Sequence, residues 1–187
     1  MMISFLQSEE WGHFQEQTGV KTRFLALSQG KVLVLVHQTP LGGFWYIPHA
    51  DLSLETCMEI KALAKADKKV LFIRFESYAP LPQLPVGAYK VKNRQPAETV
   101  LLDLGKPVAD IFASMHQKTR YSIRQAETKN FRVSWEKNTE VFHELMKETA
   151  ARDNFAPHPR EYYDKMVNCP LVEQVTVYLE NKALASA

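Results

Sequence analysis

Two arginines one helical turn apart are the clearest pair of side chains in this sequence that could do chemistry. Arg120 and Arg124 are spaced i, i+4 in a stretch with helical periodicity, so both guanidinium groups project from one side of a helix. Each guanidinium is a planar fork of donors that suits the oxygens of a phosphate or a carboxylate. The pair predicts an anion-binding surface; the alternative is a solvated helix face on which Arg124 pairs with Glu127.

The charge around this pair favours an anionic ligand. Between Lys118 and Arg132 the chain has five basic residues and one acidic residue, whereas all 187 residues together carry a net charge of only +2. A local cationic patch on a nearly neutral protein suits a phosphate-bearing ligand better than wrapping of a long duplex. We therefore expect no duplex DNA partner.

The elements that must position these residues alternate between strands and helices, which predicts an α/β (α+β) fold with mixed sheets and flanking helices. A stretch with four prolines ends at Pro96, which predicts a domain boundary between residues 97 and 98. Strands are predicted at 23–28 and 31–38, joined by a hairpin turn at Gln29-Gly30, and at 44–48, 70–75, 99–104, 131–135 and 172–179, with one further strand in the loop at 89–92. Helices are predicted at 8–17, after Asp51 or Ser53, from Pro107, from Thr119, from Thr139 and from His158.

The sequence also makes predictions about which side chains are buried and about the C-terminal strands. Val70–Phe75 is apolar except for Arg74, which is typical of a strand in a sheet covered on both faces. Trp45 and Trp135 are expected in the core. Beyond the strand at 172–179, Asn181-Lys182 is expected to form a turn and Ala183–Ala187 a second strand that is cut short. We therefore expect the chain to be the first part of a longer enzyme.

Several function classes are disfavoured by what the sequence lacks. It has no GxGxxG, P-loop, HExxH or GxSxG motif. No glycine follows Gly105, so residues 106–187 offer no glycine-bearing loop for the pyrophosphate of an acyl-CoA. Cys57 and Cys169 are 112 positions apart, and the histidines show no paired spacing, so we expect two buried thiols, no metal and no cofactor.

The N-terminal residues Met1–Gln7 have no basic start, and no aliphatic run approaches the ~20 residues that span a bilayer. These features predict a cytoplasmic protein without a signal peptide or a transmembrane segment.

Five segments, in order along the chain, resemble the FemAB (FemA, FemB, FemX) aminoacyltransferases. Leu6–Gln15 resembles the opening of that family, and Ile47–Pro48 lies where its members carry an Ile-Pro-Arg-Gly-Pro-like segment. Ile73–Glu76 resembles their Leu-Arg-hydrophobic-Asp-Pro strand end, and Thr119–Ala126 their Arg-x-x-Ile-Arg-x-Ala helix. Arg152–Tyr163 resembles their Arg-Asp-x-Phe and Glu-Tyr-Tyr segments. The sequence departs from the pattern at His49-Ala50 and at Glu76-Ser77.

The resemblance implies a fold of two GNAT-like domains, here residues 1–97 and an incomplete second domain at 98–187. It implies transfer of an amino acid from aminoacyl-tRNA to the stem peptide of a peptidoglycan precursor, either lipid-linked or UDP-linked, with a peripheral membrane contact. Two other classes stay open. One is a GNAT-fold N-acyltransferase that uses acyl-CoA on another amine, and the other is a non-catalytic module that binds precursor or RNA.

Eight residues are the candidates for this chemistry. Glu76 is the candidate proton acceptor or amine-orienting carboxylate, and its alternative is an ion pair with Arg74. His158 and Tyr162 lie at a helix start, where anions are favoured, and by resemblance face the nucleotide-sugar. By resemblance Trp11 and Gln15 border the acceptor cleft. The substrate-binding candidates are Trp11, Gln15, Arg74, Arg120, Arg124, His158 and Tyr162.

Overall fold

The computed structural model describes residues 4–77, 79–96, 98–100 and 102–187. The chain divides into two compact units: residues 1–97 with Asn168–Leu171, and residues 98–167 with 172–187. Among positions named above, Met1–Ile3, the boundary residue Ala97 and Leu101 lie outside the described residues. The assignment of either unit as a GNAT-like domain stays a prediction. None of the helices in the described ranges combines the length and apolarity that crossing a membrane requires.

The first unit is a four-stranded sheet with a helix on each face. After a short 3-10 turn, Phe5–Gln7, its elements are α1 (Glu9–Gln17), β1 (Lys21–Leu27), β2 (Gly30–Thr39), β3 (Gly42–Ala50), α2 (Leu54–Ala66) and β4 (Val70–Ser77). The strands lie in the order β1-β2-β3-β4. The first three are antiparallel, and β4 runs parallel to β3.

Local chemistry explains the starts and turns of these elements. A tight turn joins β1 to β2 as predicted, but it lies at Ser28-Gln29, and Gly30, with φ +132°, is the first residue of β2. Ser8 caps α1 by accepting a hydrogen bond from the Trp11 N–H at 3.1 Å. Ser53 caps α2 in the same way, with the Thr56 N–H at 3.1 Å. The predicted helices and hairpin in this part of the chain are confirmed.

The main core of the first unit lies between the sheet and α2. Val34, Trp45 and Ile47 are at most 1% exposed and pack with Cys57 and Ile60 of the helix. The prediction that Trp45 belongs to the core is confirmed. Both cysteines are free and buried, as expected.

Two predictions about the first unit are wrong. β4 is an edge strand, and its residues Leu71 and Phe72 are 59% and 54% exposed, so it is not covered on both faces. Apolar composition favours a strand but does not specify the strand order, and only β3 pairs with β4 in the described sheet. Residues 89–92 form no strand, because their backbone groups have no ladder partner.

The described residues of the second unit form four helices and a three-stranded antiparallel sheet of order β5-β6-β7. Its elements are α3 (Val108–Ser114), α4 (Gln117–Glu127), β5 (Phe131–Ser134), α5 (Thr139–Asp153), α6 (Arg160–Val167), β6 (Thr176–Leu179) and β7 (Lys182–Ser186). Asn138 caps α5, and Asn154 ends it in the left-handed conformation, with φ +54°. Buried residues here include Ala150, Tyr163, Val167, Gln174 and Thr176.

Boundaries in the second unit differ from prediction at several points. The described residues between 99 and 104 form no strand, and Val100 and Leu104 are 84% and 79% exposed. The helix α4 begins before Thr119, since the His116 side chain accepts a hydrogen bond from the Lys118 N–H at 3.3 Å. The strand before β7 begins only at Thr176, and the turn lies at Glu180-Asn181, where Glu180 has φ +55°.

Trp135, which was expected in the core, is 68% exposed. It lies just after the end of β5, where strand alternation no longer determines which side chain points inward.

Candidate functional site

The Glu76 carboxylate is the centre of a hydrogen-bonded group at the end of β4. The Tyr46 hydroxyl donates to its Oε2 at 2.7 Å, and the Gln95 N–H donates to the same oxygen at 3.2 Å. The Arg94 N–H donates to Oε1 at 2.5 Å, and the Arg74 guanidinium lies 3.6 Å from Oε1. A carboxylate offers about four acceptor positions, and the described hydrogen bonds occupy three of them.

These partners fix the protonation of Glu76. Burial by itself would raise the pKa of this carboxyl. The hydrogen bonds from Arg94, Tyr46 and Gln95 and the charge of Arg74 outweigh that effect and hold the pKa below its ordinary value. Glu76 is therefore an anion at neutral pH. This state suits the orientation of a cationic or polar group better than the uptake of a proton.

Tyr46 is the least expected member of this group. It is 4% exposed on β3, and its pKa is raised to about 12 by burial and by the bond to Glu76. The Arg94 guanidinium lies 5.0 Å from the centre of its ring. Sequence reasoning missed Tyr46, Arg94 and Gln95. A tyrosine within a strand and a basic residue in a proline-rich loop carry no signal that they meet a carboxylate.

Trp11 and Gln15 lie on α1, against the same face of the sheet as Tyr46. The Trp11 ring packs beside Leu33, Leu35 and Tyr46, and its centroid lies 5.2 Å from that of Phe14. Its indole N–H is buried and has no acceptor among the described residues. Gln15 is half-buried. The structure thus brings Trp11 into the apolar cluster that also contains the tyrosine bonded to Glu76.

A cavity of about 290 Å³ lies on the other side of α1, within the first unit. This volume is at the lower end of what small-molecule sites offer. His13 and Gln17, whose side chains lie 3.0 Å apart, both contribute to its wall. The full lining is Glu9, Glu10, His13, Phe14, Gln17, Asn168, Cys169 and Pro170.

In the second unit, Arg120 and Arg124 share one side of α4 as predicted, and that side faces α3. The Arg120 guanidinium donates to the Ala113 carbonyl at 3.2 Å and also to the Met115 carbonyl. Arg124 lies 5.4 Å from the centre of the Phe112 ring. Both arginines therefore stabilise the end of α3, where orphan carbonyls attract cations. Arg124 is exposed and keeps donors for a ligand.

His158 and Tyr162 are brought into direct contact just before and within α6. Their rings stack with centroids 4.0 Å apart and planes inclined by 20°. The backbone N–H of His158 donates a hydrogen bond to the Tyr163 hydroxyl at 3.0 Å, which fixes the backbone just before the helix. Burial raises the pKa of Tyr162. The helix begins at Arg160, two residues later than predicted.

The model of the FemAB family matches residues 83–170. The matched stretch contains four of the eight candidates, namely Arg120, Arg124, His158 and Tyr162. The crystal structure of FemX superimposes with a TM-score of 0.69 over 93% of this chain. The resemblance to the FemAB family is confirmed. The α+β fold predicted for this FemAB-like chain is confirmed as well.

The likeness to FemX is one of fold, since the sequences are 18% identical. This FemAB-like chain covers 52% of the FemX chain, so it spans about half the length of that protein. No protein of curated function matches its sequence.

Proposed function

We propose that this FemAB-like chain takes part in transferring an amino acid from aminoacyl-tRNA to the stem peptide of a peptidoglycan precursor. The match of the family model to residues 83–170 is the observation that carries the proposal. The FemX-like fold over 93% of the chain supports it. The first unit, in which Glu76 lies, would then serve the acceptor, and the precursor is lipid-linked or UDP-linked.

The reaction is the aminolysis of an ester, and it sets two demands. The attacking amine must be held close to the ester carbonyl and must lose its proton. The oxyanion that forms on the carbonyl must be stabilised by donors. Side chains that bind the phosphates of either reactant contribute orientation, because they fix the reacting ends.

Glu76 is proposed as the residue that orients the acceptor amine. Its carboxylate accepts three hydrogen bonds in the free protein, and the Gln95 N–H bond at 3.2 Å is the longest of them. An incoming ammonium group is expected to displace this backbone donor, since a charged donor forms the stronger bond. Arg74 would then balance the charge of the carboxylate.

The other candidates are proposed as binding residues. Arg120 and Arg124 would contact the tRNA or the precursor diphosphate, and the cationic stretch 118–132 supports this role. His158 and Tyr162 would present their stacked rings to the nucleotide-sugar. Trp11 and Gln15 would border the acceptor peptide. The expected location is the cytoplasm, with a peripheral contact to the membrane where the precursor is lipid-linked.

The direct test is a transfer assay with the purified 187-residue chain. tRNA charged with a radiolabelled amino acid is supplied together with UDP-linked or lipid-linked precursor, and the label in the precursor is measured. We expect label to appear only when both substrates are present. Label delivered from acyl-CoA instead would favour a GNAT-fold N-acyltransferase. Binding of precursor without any transfer would favour the non-catalytic module.

The double substitution Arg120→Ala with Arg124→Ala is expected to weaken tRNA binding. Loss of two phosphate contacts should lower the slope of log K against log salt by about 1.4 to 1.8. The measurement is a salt titration of tRNA affinity, with Lys137→Ala and Lys147→Ala together as the control that removes equal charge from exposed positions outside the stretch 118–132.

Because both arginines also contact α3, hydrogen exchange of residues 108–115 must be followed in the same variants. The variant with lysine at both positions keeps the positive charge but loses the planar guanidinium donors. Its affinity therefore separates the contribution of charge from that of guanidinium geometry. Unchanged tRNA affinity of the double alanine variant at low salt would reject a role in tRNA binding.

A further inference from the structure

Three aromatic rings form a stack across the first sheet and reach its edge. His37, Phe44 and Phe72 lie on β2, β3 and β4, and their ring centroids are 4.7 Å and 4.8 Å apart with planes inclined by 16° and 6°. The strand register pairs His37 with Phe44 and Phe44 with Phe72. The separation of the rings equals the spacing of neighbouring strands. We call these three residues the aromatic stack.

The aromatic stack ends in an exposed ring. Phe72 is 54% exposed, and β4 has no neighbour beyond it in the described sheet. Phe44 covers one face of the Phe72 ring. The next position of the stack, about 4.8 Å outward by the strand spacing, lies outside the sheet and can accept another planar group.

The segment beside this edge is cationic. Residues 88–95 contain Lys90, Lys92 and Arg94 at alternate positions and no acidic residue, and all three are exposed. The segment is held against β4 because the Arg74 guanidinium donates to the Lys92 carbonyl. Glu76 accepts hydrogen bonds from the backbone N–H groups of Arg94 and Gln95, at the C-terminal end of the segment. The Glu76 carboxylate beside the segment is therefore already paired.

We propose that this edge of the first unit binds a single-stranded segment of RNA. One base stacks on the outer face of Phe72, and the adjoining phosphates contact Lys90, Lys92 and Arg94. Aromatic platforms next to a cationic track bind single-stranded nucleic acid without reading its sequence. The inference rests on the proposed function, whose donor is an aminoacyl-tRNA, and gives the unpaired nucleotides of that donor a site.

The open shape of the surface favours an RNA strand over a single nucleotide. Mononucleotide sites are usually cavities that enclose most of the ligand. The cavity beside α1 is separate from this surface, because its lining contains none of the residues of the aromatic stack or of 88–95. Three cations at alternate positions can serve several consecutive phosphates. A second polypeptide strand on β4 would use its backbone but would leave these cations without partners.

The test is the binding of a labelled oligoadenylate of about eight nucleotides to the full chain, followed by fluorescence anisotropy. We expect Phe72→Ala to weaken binding about tenfold, which is the loss of one base stacked on an aromatic ring. Phe72→Trp should retain or strengthen binding. Met58→Ala removes a similarly exposed apolar side chain from α2, on the other face of the sheet, and should leave the affinity unchanged.

Charge is tested separately. Lys90→Gln with Lys92→Gln should lower the slope of log K against log salt by about 1.4, the value for two contacts to a single strand. Lys65→Gln with Lys68→Gln removes the same charge from α2 and the turn after it, and should leave the slope unchanged.

Four results would overturn the inference. They are equal binding by Phe72→Ala and wild type, equal affinity for a duplex of the same length, full displacement by UDP or a UDP-sugar, and a dimer in light scattering that Phe72→Ala dissociates. Near-UV circular dichroism establishes that each variant is folded. Since the assay needs no transfer, its failure leaves the proposed function standing, and failure of the transfer assay leaves this binding result interpretable.

Discussion

Replacing Glu76 with glutamine should destabilise the first unit by about 3 kcal/mol. A glutamine has one acceptor oxygen and one NH2 group. The NH2 group, itself a donor, would therefore face donors that now bind one oxygen of the carboxylate. The Arg74 guanidinium, which already has a buried Nε without a described acceptor, would lose its counter-ion. Urea unfolding followed by the fluorescence of the buried Trp45 measures the change.

The matched control for this substitution is Glu59→Gln. Glu59 also accepts hydrogen bonds through its carboxylate, from the N–H and the hydroxyl of Ser28, but at an exposed position. We expect a much smaller loss for the control, because water replaces the lost acceptor. Equal losses at Glu76 and Glu59 would contradict the interpretation of Glu76 as the centre of the group.

The stability contributed by Glu76 should depend on pH in a defined direction. Its pKa in the folded chain lies below the ordinary value, so the unfolded chain takes up the proton first as the pH falls. The contribution is fully present above the unfolded pKa of about 4.3 and is lost as the pH falls through the folded pKa. The difference between wild type and Glu76→Gln should therefore shrink below about pH 4.3.

The same variant tests the proposed role in transfer. If Glu76 orients the acceptor amine, transfer should fall even at a temperature where Glu76→Gln is fully folded. Full turnover by the folded variant would end that role and leave Glu76 as a structural residue.

Replacing Gln174 with leucine should destabilise the second unit by about 2–4 kcal/mol. Gln174 is 2% exposed, and its amide binds the backbone of Asn138 on both sides: the Asn138 N–H donates to Oε1 at 2.6 Å, and Nε2 donates to the Asn138 carbonyl at 3.0 Å. Nε2 also donates to the Ser186 hydroxyl at 3.0 Å. Leucine fills the volume but leaves the backbone groups of Asn138 and the Ser186 hydroxyl without these partners.

The loss of stability in Gln174→Leu should first appear as local opening around the Gln174 side chain. Gln174 connects the cap of α5 to β7, so hydrogen exchange at the first turn of α5 should accelerate more than exchange within α6. Gln125→Leu, at an exposed position of α4, is the control and should change the free energy of unfolding by less than about 0.5 kcal/mol. A stability for Gln174→Leu within that same range would show that the network contributes nothing.

The sequence by itself determined the features that depend on neighbours along the chain. The hairpin between β1 and β2, the serine caps of α1 and α2 and the alternation of strands and helices all follow from local backbone preferences and hydrogen bonds. The ordered motifs from Leu6 to Tyr163 likewise indicated the FemAB resemblance, because they are properties of the sequence alone.

Tertiary structure decided which groups those elements bring together. Tyr46 reaches Glu76 across 30 positions, and the backbone of Arg94 reaches it across 18. No local pattern encodes such contacts, since they arise only when β4 pairs with β3 and the following segment packs on it. For the same reason the apolar run of β4 became an edge, Trp135 lies in solvent, and Arg120 and Arg124 face α3. The sequence determines the chemistry of each side chain, whereas packing against distant residues determines which groups that side chain contacts.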